Sequence, residues 1–424
     1  MMEEHVETVL DGLVFFQPGA DSIPARIMRG NFSATYTLGR LLAEAVDNGW
    51  QGNLWHCCLA QALVESENPF SQACERREAV RDSLWNVALG DMKVYMDLFA
   101  MNLPNLFQEV GDFRHDSHNA PRREAGARIQ SLARRLSQSE SPEQMLNILT
   151  RFYETNGVGM LGLGELFRVE EAGRHAALFP VEGRRSVKLA DLVGYETQKA
   201  QLVENTMAFL AGHHANNVLL YGDAGTGKST SVQALANEYA DRGLRLIELY
   251  KHQFHLIPDL LDQIKRRNYR FILLLDDLSF EDNEVEYKHL KAVMEGGGEA
   301  APENVLIYAT SNRRHLIKET WKDRSDMEHD GDIHRSDTVE EKLSLAGRFG
   351  LQIYYPNPTF EEYHAIVRTL AGRMEGLAAL SAEQLRAAAA TWQVRHGSRS
   401  GRTAQQFVND LLCRTSDESE KPPC

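Results

Sequence analysis

A glycine-rich loop near the middle of the chain places the strongest limits on its fold. The loop, Gly222-Asp-Ala-Gly-Thr-Gly-Lys-Ser229, has the G-x-x-x-x-G-K-S pattern in which backbone N–H groups can surround a phosphate. Residues 218–221 before it predict a strand, and residues 232–239 after it carry apolar side chains at helical spacing. Because the N-terminal end of a helix is positive, this strand, loop and helix predict an anion site in a parallel α/β sheet.

Short apolar segments on both sides of the loop predict the strands of that sheet. They alternate with amphipathic segments, as expected for parallel strands covered by helices on both faces. The five predicted strands lie at 218–221, 244–249, 271–275, 305–310 and 351–355. Beyond Pro356 the pattern becomes helical, with capping boxes starting at Thr359 and Ser381 and a third helix from about Arg402 to Cys413. We therefore expect an α/β domain followed by a helical lid.

The N-terminal part of the chain is predicted to be mainly helical. Apolar residues recur at helical spacing from Leu38 to Val46 and from Trp55 to Leu63, where Asn53 is a suitable N-cap. Residues 157–162 match the G-x-G-x-x-G dinucleotide pattern, but the segment before them has helical spacing, so a hinge or linker is favoured. The predicted organisation is a helical N-terminal domain (1–155), a linker (156–187), an α/β domain (188–357), a helical lid (358–415) and a disordered tail (416–424).

The charge of the chain disfavours binding to polyanions over its whole surface. There are 60 acidic and 46 basic residues and a net charge of −14, whereas nucleic acids and anionic membranes attract clustered Lys and Arg. The sequence has neither a long apolar segment nor a basic N-terminus followed by an apolar one. The five cysteines include no C-x-x-C pair. We expect a soluble cytoplasmic protein without membrane contact, a disulfide framework or a cysteine zinc site.

Polar residues follow the ends of two predicted strands. Asp276 and Asp277 come directly after the strand at 271–275, and Asn312 follows the strand at 305–310. Ligands bind at the carboxyl ends of strands in open α/β sheets, so these side chains are expected to meet the glycine-rich loop. An Asn that only caps the next segment, and a structural pair of solvated acids, are the alternatives.

The chemistry expected at such a site is phosphoryl transfer. Lys228 is expected to bind the β and γ phosphates of a nucleotide, and the Ser229 hydroxyl to ligate Mg²⁺. Asp276 would hold the Mg²⁺ through water, and Asp277 would orient or deprotonate the attacking water.

The order of these motifs resembles that of the AAA+ ATPases, over about residues 186–414. Arg348, in Leu-Ala-Gly-Arg-Phe-Gly before the last strand, and Arg402, at the start of the last helix, complete the resemblance. It implies an α/β fold of the P-loop AAA+ type, with a parallel five-stranded sheet and a C-terminal helical lid. It also implies ATP and Mg²⁺ as cofactors and a homo-oligomeric ring such as a hexamer.

The resemblance also implies roles for individual residues. Asn312 is similar to sensor 1, Arg348 to an arginine finger that acts on the ATP of a neighbouring subunit, and Arg402, with Arg399 as the alternative, to sensor 2. Residues 193–195 are similar to the segment that contacts adenine. The implied catalytic residues are Asp277, Arg348 and Asn312, and the implied metal ligands are Ser229 and, through water, Asp276. The implied nucleotide-binding residues are Val193, Gly194, Tyr195, Gly222, Asp223, Ala224, Gly225, Thr226, Gly227, Lys228, Ser229, Thr230 and Arg402.

One departure from the AAA+ pattern bears on the rate. The second acid is usually Glu, and Asp277 is shorter by one methylene. Because a misplacement of about 1 Å can lower the rate roughly 10²-fold, modest hydrolysis is predicted. Glu281 is an alternative base. However, the sequences at 275–280, 309–315 and 340–345 together resemble a narrower group of uncharacterised bacterial AAA+ ATPases, classed as a domain of unknown function. In such a group the aspartate belongs to a working site.

Two segments between the motifs carry weaker signals. The glycines at 296–298 predict a flexible helix end, with a partner-contacting loop as the alternative. The long segment 313–341 is expected to be a loop at a subunit boundary near Arg348. Its His329, Asp330, Asp332 and His334 are weak candidates for a metal site, because neither a cysteine nor a helical His pair accompanies them.

The leading functional hypothesis is an ATP hydrolase that drives a conformational switch or remodels a macromolecule. Its partner, a protein or a nucleic acid, would bind the N-terminal domain. A P-loop kinase for a small molecule and an ATP-dependent scaffold with weak hydrolysis are the alternatives. A GTPase is disfavoured because the chain lacks an N-K-x-D guanine-recognition sequence.

Overall fold

A computed structural model describes most of the chain. The described residues are 12–29, 34–101, 112–115, 120, 122–173, 175–181, 187–280, 285–294, 302–312, 345–374, 377, 381–397 and 399–419. The chain divides into two compact units. The first, here called the helical unit, comprises Met1–Glu165, Phe179–Arg185 and Arg266–Asn268, and the second, called the sheet unit, comprises the remainder. Glu281, the glycines at 296–298 and the segment 313–341 lie outside the described residues.

The helical unit is built from amphipathic helices, as the apolar spacing predicts. Its helices are α1 Ile23–Met28, α2 Ala34–Asn48, α3 Leu54–Glu65, α4 Pro69–Glu75, α5 Asp82–Ala100, α6 Arg123–Ser137, α7 Pro142–Asn156 and α8 Gly159–Leu163. The Asn53 side chain accepts a hydrogen bond from the His56 N–H, which confirms the predicted N-cap of α3. Large side chains that are fully buried, among them Trp50, Trp55 and Tyr153, form the core.

Two buried carboxylates anchor irregular backbone in the helical unit. Asp91 on α5 accepts hydrogen bonds from the N–H groups of three consecutive residues, 14–16. Glu75, at the end of α4, binds Arg267 through two hydrogen bonds of 2.7 and 2.8 Å and also accepts one from the Val158 N–H. Both carboxylates therefore satisfy donors that would otherwise be buried without partners.

The glycines at 157–162 end one helix and begin another. Gly157 has a φ of +87° and caps α7, and the short helix α8 starts two residues later. No strand precedes them within 142–163, all of which is described, so the dinucleotide-binding turn that was disfavoured from the sequence is not formed.

In the part of the chain that the structure describes, seven strands form one sheet. They are β1 Leu166–Ala172, β2 His175–Pro180, β3 Val218–Gly222, β4 Leu244–Leu249, β5 Arg270–Leu275, β6 Val305–Ser311 and β7 Leu351–Tyr355. The five predicted strands are all present, but the count of five was wrong, because β1 and β2 lie in the segment assigned to a linker. Only Phe167 and Val169 of β1 are buried, and residues 170–172 are exposed. In this half-exposed strand the adjacent Leu166 and Phe167 and the adjacent Glu170 and Glu171 break the alternation of apolar and polar residues by which a strand is recognised.

The strand order places the ends of the motif-bearing strands side by side. The order is β2-β1-β4-β5-β6-β3-β7, and each neighbouring pair from β1 to β7 is parallel. Every residue of β4 and β6 is buried, as expected for central parallel strands. β6 lies between β3 and β5, so the segments that follow these three strands emerge together at one edge.

Helices flank the sheet and continue the chain beyond it. In the sheet unit these are α9 Glu196–Leu210, α10 Lys228–Tyr239, α11 Ile257–Ile264, α12 Val285–Met294, α13 Phe360–Gly372, α14 Ala382–His396 and α15 Gly401–Ser419. Both predicted capping boxes are formed, at Thr359 and Ser381. The last three helices pack around Tyr363, Leu385 and Phe407 and are here called the C-terminal bundle. α15 ends at Ser419, six residues beyond the predicted end at Cys413.

The described residues contain no helix that is long and apolar enough to span a membrane. Three of the described cysteines, Cys57, Cys58 and Cys74, are buried as free thiols, and Cys413 is exposed.

Candidate functional site

The glycine-rich loop connects β3 to α10 and needs its glycines for steric reasons. Gly222, Gly225 and Gly227 all have positive φ, at +137°, +77° and +91°. A Cβ atom on Gly222 would lie 2.1 Å from the carbonyl oxygen of Tyr355 on the neighbouring strand. Gly227 is the N-cap of α10, so the first turn of this helix, including Thr230, faces the loop. The loop thus has the backbone shape that surrounds a phosphate group.

Lys228 is held inside this loop. Only 6% of the residue is exposed, and Nζ donates to the carbonyl oxygens of Gly222 (2.9 Å) and Asp223 (2.7 Å) and to Oδ1 of Asn312 (3.2 Å). Burial lowers the pKa of the ammonium group, while the carboxylates of Asp223 and Asp276 act in the opposite direction. The group is therefore a desolvated cation whose hydrogen bonds a polyphosphate could replace.

Asp276 lies directly after β5, where hydroxyl groups from two elements meet its carboxylate. Oδ1 accepts hydrogen bonds from the Ser229 hydroxyl at the start of α10 and from the Thr310 hydroxyl on β6, the latter at 2.6 Å. Ser229 and Asp276, the two residues predicted to bind Mg²⁺, are thus in direct contact with each other.

Asp277 has an unusual backbone conformation. Its φ of +53° lies in the left-handed region, which non-glycine residues seldom adopt. Its N–H donates to the Thr310 hydroxyl oxygen (3.0 Å), and its Oδ1 accepts a hydrogen bond from Nδ2 of Asn312 (2.7 Å). Asn312 therefore bridges the acid and the lysine, with its amide nitrogen on Asp277 and its amide oxygen on Lys228.

The donor set at this place suits a magnesium ion that is shared with phosphate. Mg²⁺ prefers oxygen ligands and is usually held by one or two protein groups together with phosphates and water. The Ser229 hydroxyl and the Asp276 carboxylate provide two such oxygens in contact with each other. Among the described residues no group of three His, Cys, Asp or Glu could enclose a metal ion. Ser229 and Asp276 thus fit the partial coordination expected for Mg²⁺ bound to a nucleotide.

The segment predicted to contact adenine lies beside the strand next to the loop. Gly194 and Tyr195 both have positive φ, and Tyr195 is the N-cap of α9. The Tyr195 ring stacks on Tyr355 with centroids 5.0 Å apart, and its hydroxyl donates to the carbonyl oxygen of Pro356. Val193 packs against the core of the C-terminal bundle. The segment therefore connects the bundle with the end of β7.

The start of α15 contacts the glycine-rich loop. The Arg402 N–H lies 3.4 Å from the carbonyl oxygen of Gly225. A Cβ atom on Gly225 would lie 2.9 Å from Oγ of Ser400 and 3.1 Å from Cβ of Arg402. Arg402 is also close enough for its charge to lower the pKa of Lys228. Of the two candidate arginines, Arg402 is the one for which contact with the loop is observed.

Arg348 is not part of this group of residues. It lies in the turn that precedes β7, whereas the loop follows the C-terminal end of β3. Leu351 pairs with Val218 and Tyr355 with Gly222, so the four steps of β7 separate the turn from the loop. At about 3.3 Å per step this is roughly 13 Å between the first and the last residue of β7. Arg348 thus lies beyond the end of β7 that is opposite the loop.

Thr310 was missed as a site residue, although its motif was recognised. The register of β5 and β6 pairs Leu275 with Ala309, so Thr310 stands opposite Asp276. In the sequence, Asp276 directly follows one predicted strand and Thr310 ends another. The signal was present, but only the pairing register shows that these two residues are neighbours.

The chain was compared with known proteins. A family model described as "Protein of unknown function (DUF815)" matches residues 164–415, which confirms the resemblance to an uncharacterised AAA+ group. The replication factor C large subunit of Staphylothermus marinus is 36% identical over 77 residues, 18% of this chain and 18% of that protein. The chromosomal replication initiator protein DnaA of Helicobacter hepaticus is 22% identical over 291 residues, 67% of this chain and 55% of that protein. The chain thus spans at most about half the length of these curated relatives.

Among solved structures, the Thermotoga maritima RuvB Holliday junction branch migration motor is similar in part. It is 15% identical, the match covers 55% of this chain and 72% of that one, and the TM-score is 0.37.

Proposed function

We propose that this chain, which belongs to the DUF815 family of proteins of unknown function, binds ATP with Mg²⁺ and hydrolyses it. One observation carries the proposal. Side chains from the loop after β3 and from the ends of β5 and β6 form a continuous set of hydrogen bonds, from Asp276 and Ser229 to Asp277, Asn312 and Lys228. Phosphoryl transfer requires a cation, metal-binding oxygens and a water-orienting acid close together.

The residues would share the work as follows. Lys228 would exchange its contacts with the loop carbonyls for the β and γ phosphates, which suits a desolvated ammonium group. Ser229 and Asp276 would hold the Mg²⁺, which neutralises charge on the phosphates when bound. Asp277 would orient the attacking water. Asn312 contacts both Asp277 and Lys228, so it would fix the position of that water relative to the γ phosphate.

The adenosine part of the nucleotide would lie towards residues 193–195. These residues connect α9 with the C-terminal bundle, and Arg402 at the start of the last helix of that bundle contacts the loop at Gly225. A nucleotide between them would contact both the sheet and the bundle. Its hydrolysis could therefore change the position of the bundle, as required for a conformational switch.

Arg348 would act in a neighbouring subunit of a homo-oligomeric ring. Its position beyond the end of β7 that is opposite the loop of its own chain supports a role between chains. An arginine supplied by a partner is worth about 10³ to 10⁵ in rate for related phosphoryl transfer. Turnover per chain should then depend on protein concentration.

The partner of this ATPase is proposed to be a macromolecule that binds the helical unit. The two curated relatives are a replication factor and a replication initiator by name, so DNA is the first candidate to test. A change of Asp277→Asn should allow ATP binding and slow hydrolysis, so this variant should retain a partner in the ATP-bound state. Filter binding of labelled DNA to this variant, with and without ATP, would measure that effect.

The decisive experiment measures binding and turnover separately. Calorimetry with Mg·ATP should detect binding to the wild type and to Arg348→Ala but not to Lys228→Ala. Phosphate release should be lost in Lys228→Ala and reduced at least about 10³-fold in Arg348→Ala. Arg395→Ala, which changes an exposed arginine of α14, is the matched control and should behave as the wild type.

Each result bears on a different part of the proposal. Rapid hydrolysis by Arg348→Ala would remove the inter-subunit role of Arg348. Tight binding without phosphate release by the wild type would favour a scaffold, and turnover that requires an added acceptor would favour a kinase. Absence of Mg·ATP binding to the wild type would refute the proposed function as a whole.

A further inference from the structure

Thr310 is a buried residue whose hydroxyl contacts both acids of the site. Only 2% of the residue is exposed. Its Oγ1 donates to Oδ1 of Asp276 (2.6 Å) and accepts a hydrogen bond from the N–H of Asp277 (3.0 Å). An ionised carboxylate only accepts and a backbone N–H only donates, so the hydroxyl hydrogen and a hydroxyl lone pair are both used.

The backbone of Thr310 adds a third contact to the same turn. Its carbonyl oxygen accepts a hydrogen bond from the N–H of Leu278 at 2.7 Å. Thr310 is therefore bound to three consecutive residues, 276–278, that follow β5. Because β6 is buried between β3 and β5, its position is fixed by the sheet on both sides.

These contacts account for the conformation of Asp277. The left-handed backbone, with a φ of +53°, is disfavoured for side chains with a Cβ atom, and the hydrogen bonds from the N–H groups of Asp277 and Leu278 to Thr310 offset that cost. In this conformation the carboxylate reaches Nδ2 of Asn312. Aspartate adopts the left-handed region more readily than most residues, which gives a physical reason for Asp at a position where AAA+ proteins usually have Glu.

We infer that Thr310 is a positioning residue, which holds the Asp276 carboxylate against Ser229 and turns the Asp277 carboxylate towards Asn312. This inference rests on the proposed function, because it assigns to Thr310 the alignment of the metal-binding acid with the water-orienting acid. Thr310 itself would touch neither the nucleotide nor the water. Its loss should therefore weaken Mg²⁺ binding and slow hydrolysis without removing the nucleotide site.

The test compares variants that differ in the hydroxyl group. Thr310→Val keeps the shape and removes the hydroxyl, and Thr310→Ser keeps the hydroxyl and removes the methyl group. Thr206→Val is the matched control, because Thr206 is fully buried and its hydroxyl is bonded to Tyr308, away from the acids. Thr310→Ala removes the hydroxyl by a second route if the valine protein does not fold.

The expected pattern separates positioning from general stability. For Thr310→Val, kcat should fall about 10- to 100-fold and the Mg²⁺ concentration for half-maximal turnover should rise about 10-fold, as found when groups that orient metal ligands are removed. Binding of a fluorescent ATP analogue in EDTA should stay within about 3-fold of the wild type, because Lys228 and the loop are unchanged. The melting temperature should fall no further than in Thr206→Val, and Thr310→Ser should recover most of the turnover.

The possible failures are distinguishable. If Thr310→Val hydrolyses ATP with the kcat and Mg²⁺ dependence of Thr206→Val, the role of Thr310 is refuted and the proposed function stands. If Thr310→Ser is as slow as Thr310→Val, the hydroxyl is not the active feature and the role is likewise refuted. If the wild type neither binds nor hydrolyses Mg·ATP, both proposals fail.

Discussion

The ion pair between Glu75 and Arg267 offers a direct measure of what buried charge contributes to the helical unit. The side chain of Glu75 is 3% exposed and that of Arg267 is 12% exposed. Each oxygen of Glu75 accepts from one nitrogen of Arg267, and two further donors, the N–H groups of Val158 and Asn268, point at the same carboxylate. Four donors therefore converge on one buried acceptor.

The change Glu75→Gln preserves the shape and removes the charge. The new NH₂ group is a donor and must replace one oxygen, so it faces two of the four donors. Arg267 loses its buried carboxylate and keeps the ion pair with Glu67 (3.1 Å), whose side chain is 40% exposed. Removal of one member of a buried pair costs about 3–5 kcal/mol, and no cavity term is added because the side chains are isosteric. Because Glu67 still pairs with Arg267, we expect the free energy of unfolding to fall by about 3 kcal/mol, the lower end of that range.

A neighbouring pair is the control. Arg76 and Glu78 approach to the same distance, 2.7 Å, but their side chains are 35% and 55% exposed. Glu78→Gln should leave the unfolding midpoint unchanged, because water and salt already screen an exposed pair. Urea unfolding of the full chain, followed by tryptophan fluorescence, is a suitable assay, since three of the five tryptophans belong to the helical unit. Equal losses in the two variants would refute the argument that burial decides the energy.

Three further predictions follow from burial and backbone geometry. Burial lowers the pKa of His56, so as the pH falls the unfolded chain binds a proton before the folded chain does, and the free energy of unfolding should fall below about pH 6.5. The urea midpoints at pH 7.5 and 5.5 should therefore differ less in His56→Gln than in the wild type. Burial raises the pKa of Cys57 to about 12 and that of Cys74 to about 11, so iodoacetamide at pH 8 should alkylate the exposed Cys413 and spare both until the chain is denatured, as read by mass spectrometry. Gly222→Ala should destabilise the chain more than Gly243→Ala in chemical denaturation, because both have positive φ but only the first places a Cβ atom within 2.1 Å of a backbone oxygen.

The central strands and the helix starts were predictable because their signals are local. The strand at 305–310 is an almost continuous apolar segment and that at 244–249 is apolar at four of its six positions, since both faces of each strand are buried. The capping boxes at Thr359 and Ser381 need only four residues each. β1 and β2 were missed for the opposite reason. One face of each is largely exposed, and in neither strand do apolar and polar residues alternate, so the segment resembles a linker.

The residues of the candidate site were likewise predictable only where their signals are local in the sequence. The glycine-rich loop, Asp276, Asp277 and Asn312 could be found from the sequence because each follows a strand, and the carboxyl ends of parallel strands meet at one edge of a sheet. From the sequence, Arg402 is preferred and Arg399, three residues away, is the alternative. The structure brings Arg402 to Gly225, because α15 begins where the bundle meets the loop.

The sequence by itself determined which groups are candidates for the chemistry of this protein: a glycine-rich loop of the phosphate-binding pattern, two acids and an amide at strand ends, and the periodicity of an α/β domain with helices on both sides in the chain. Only the tertiary structure decided how those groups are coupled. It placed the Thr310 hydroxyl between Asp276 and Asp277, turned Asp277 into a left-handed conformation and separated Arg348 from the loop along β7. The physical reason is that the residue type determines which chemistry a side chain can perform, whereas strand order and register determine which side chains become neighbours. Strand order and register are set by the packing of the whole sheet.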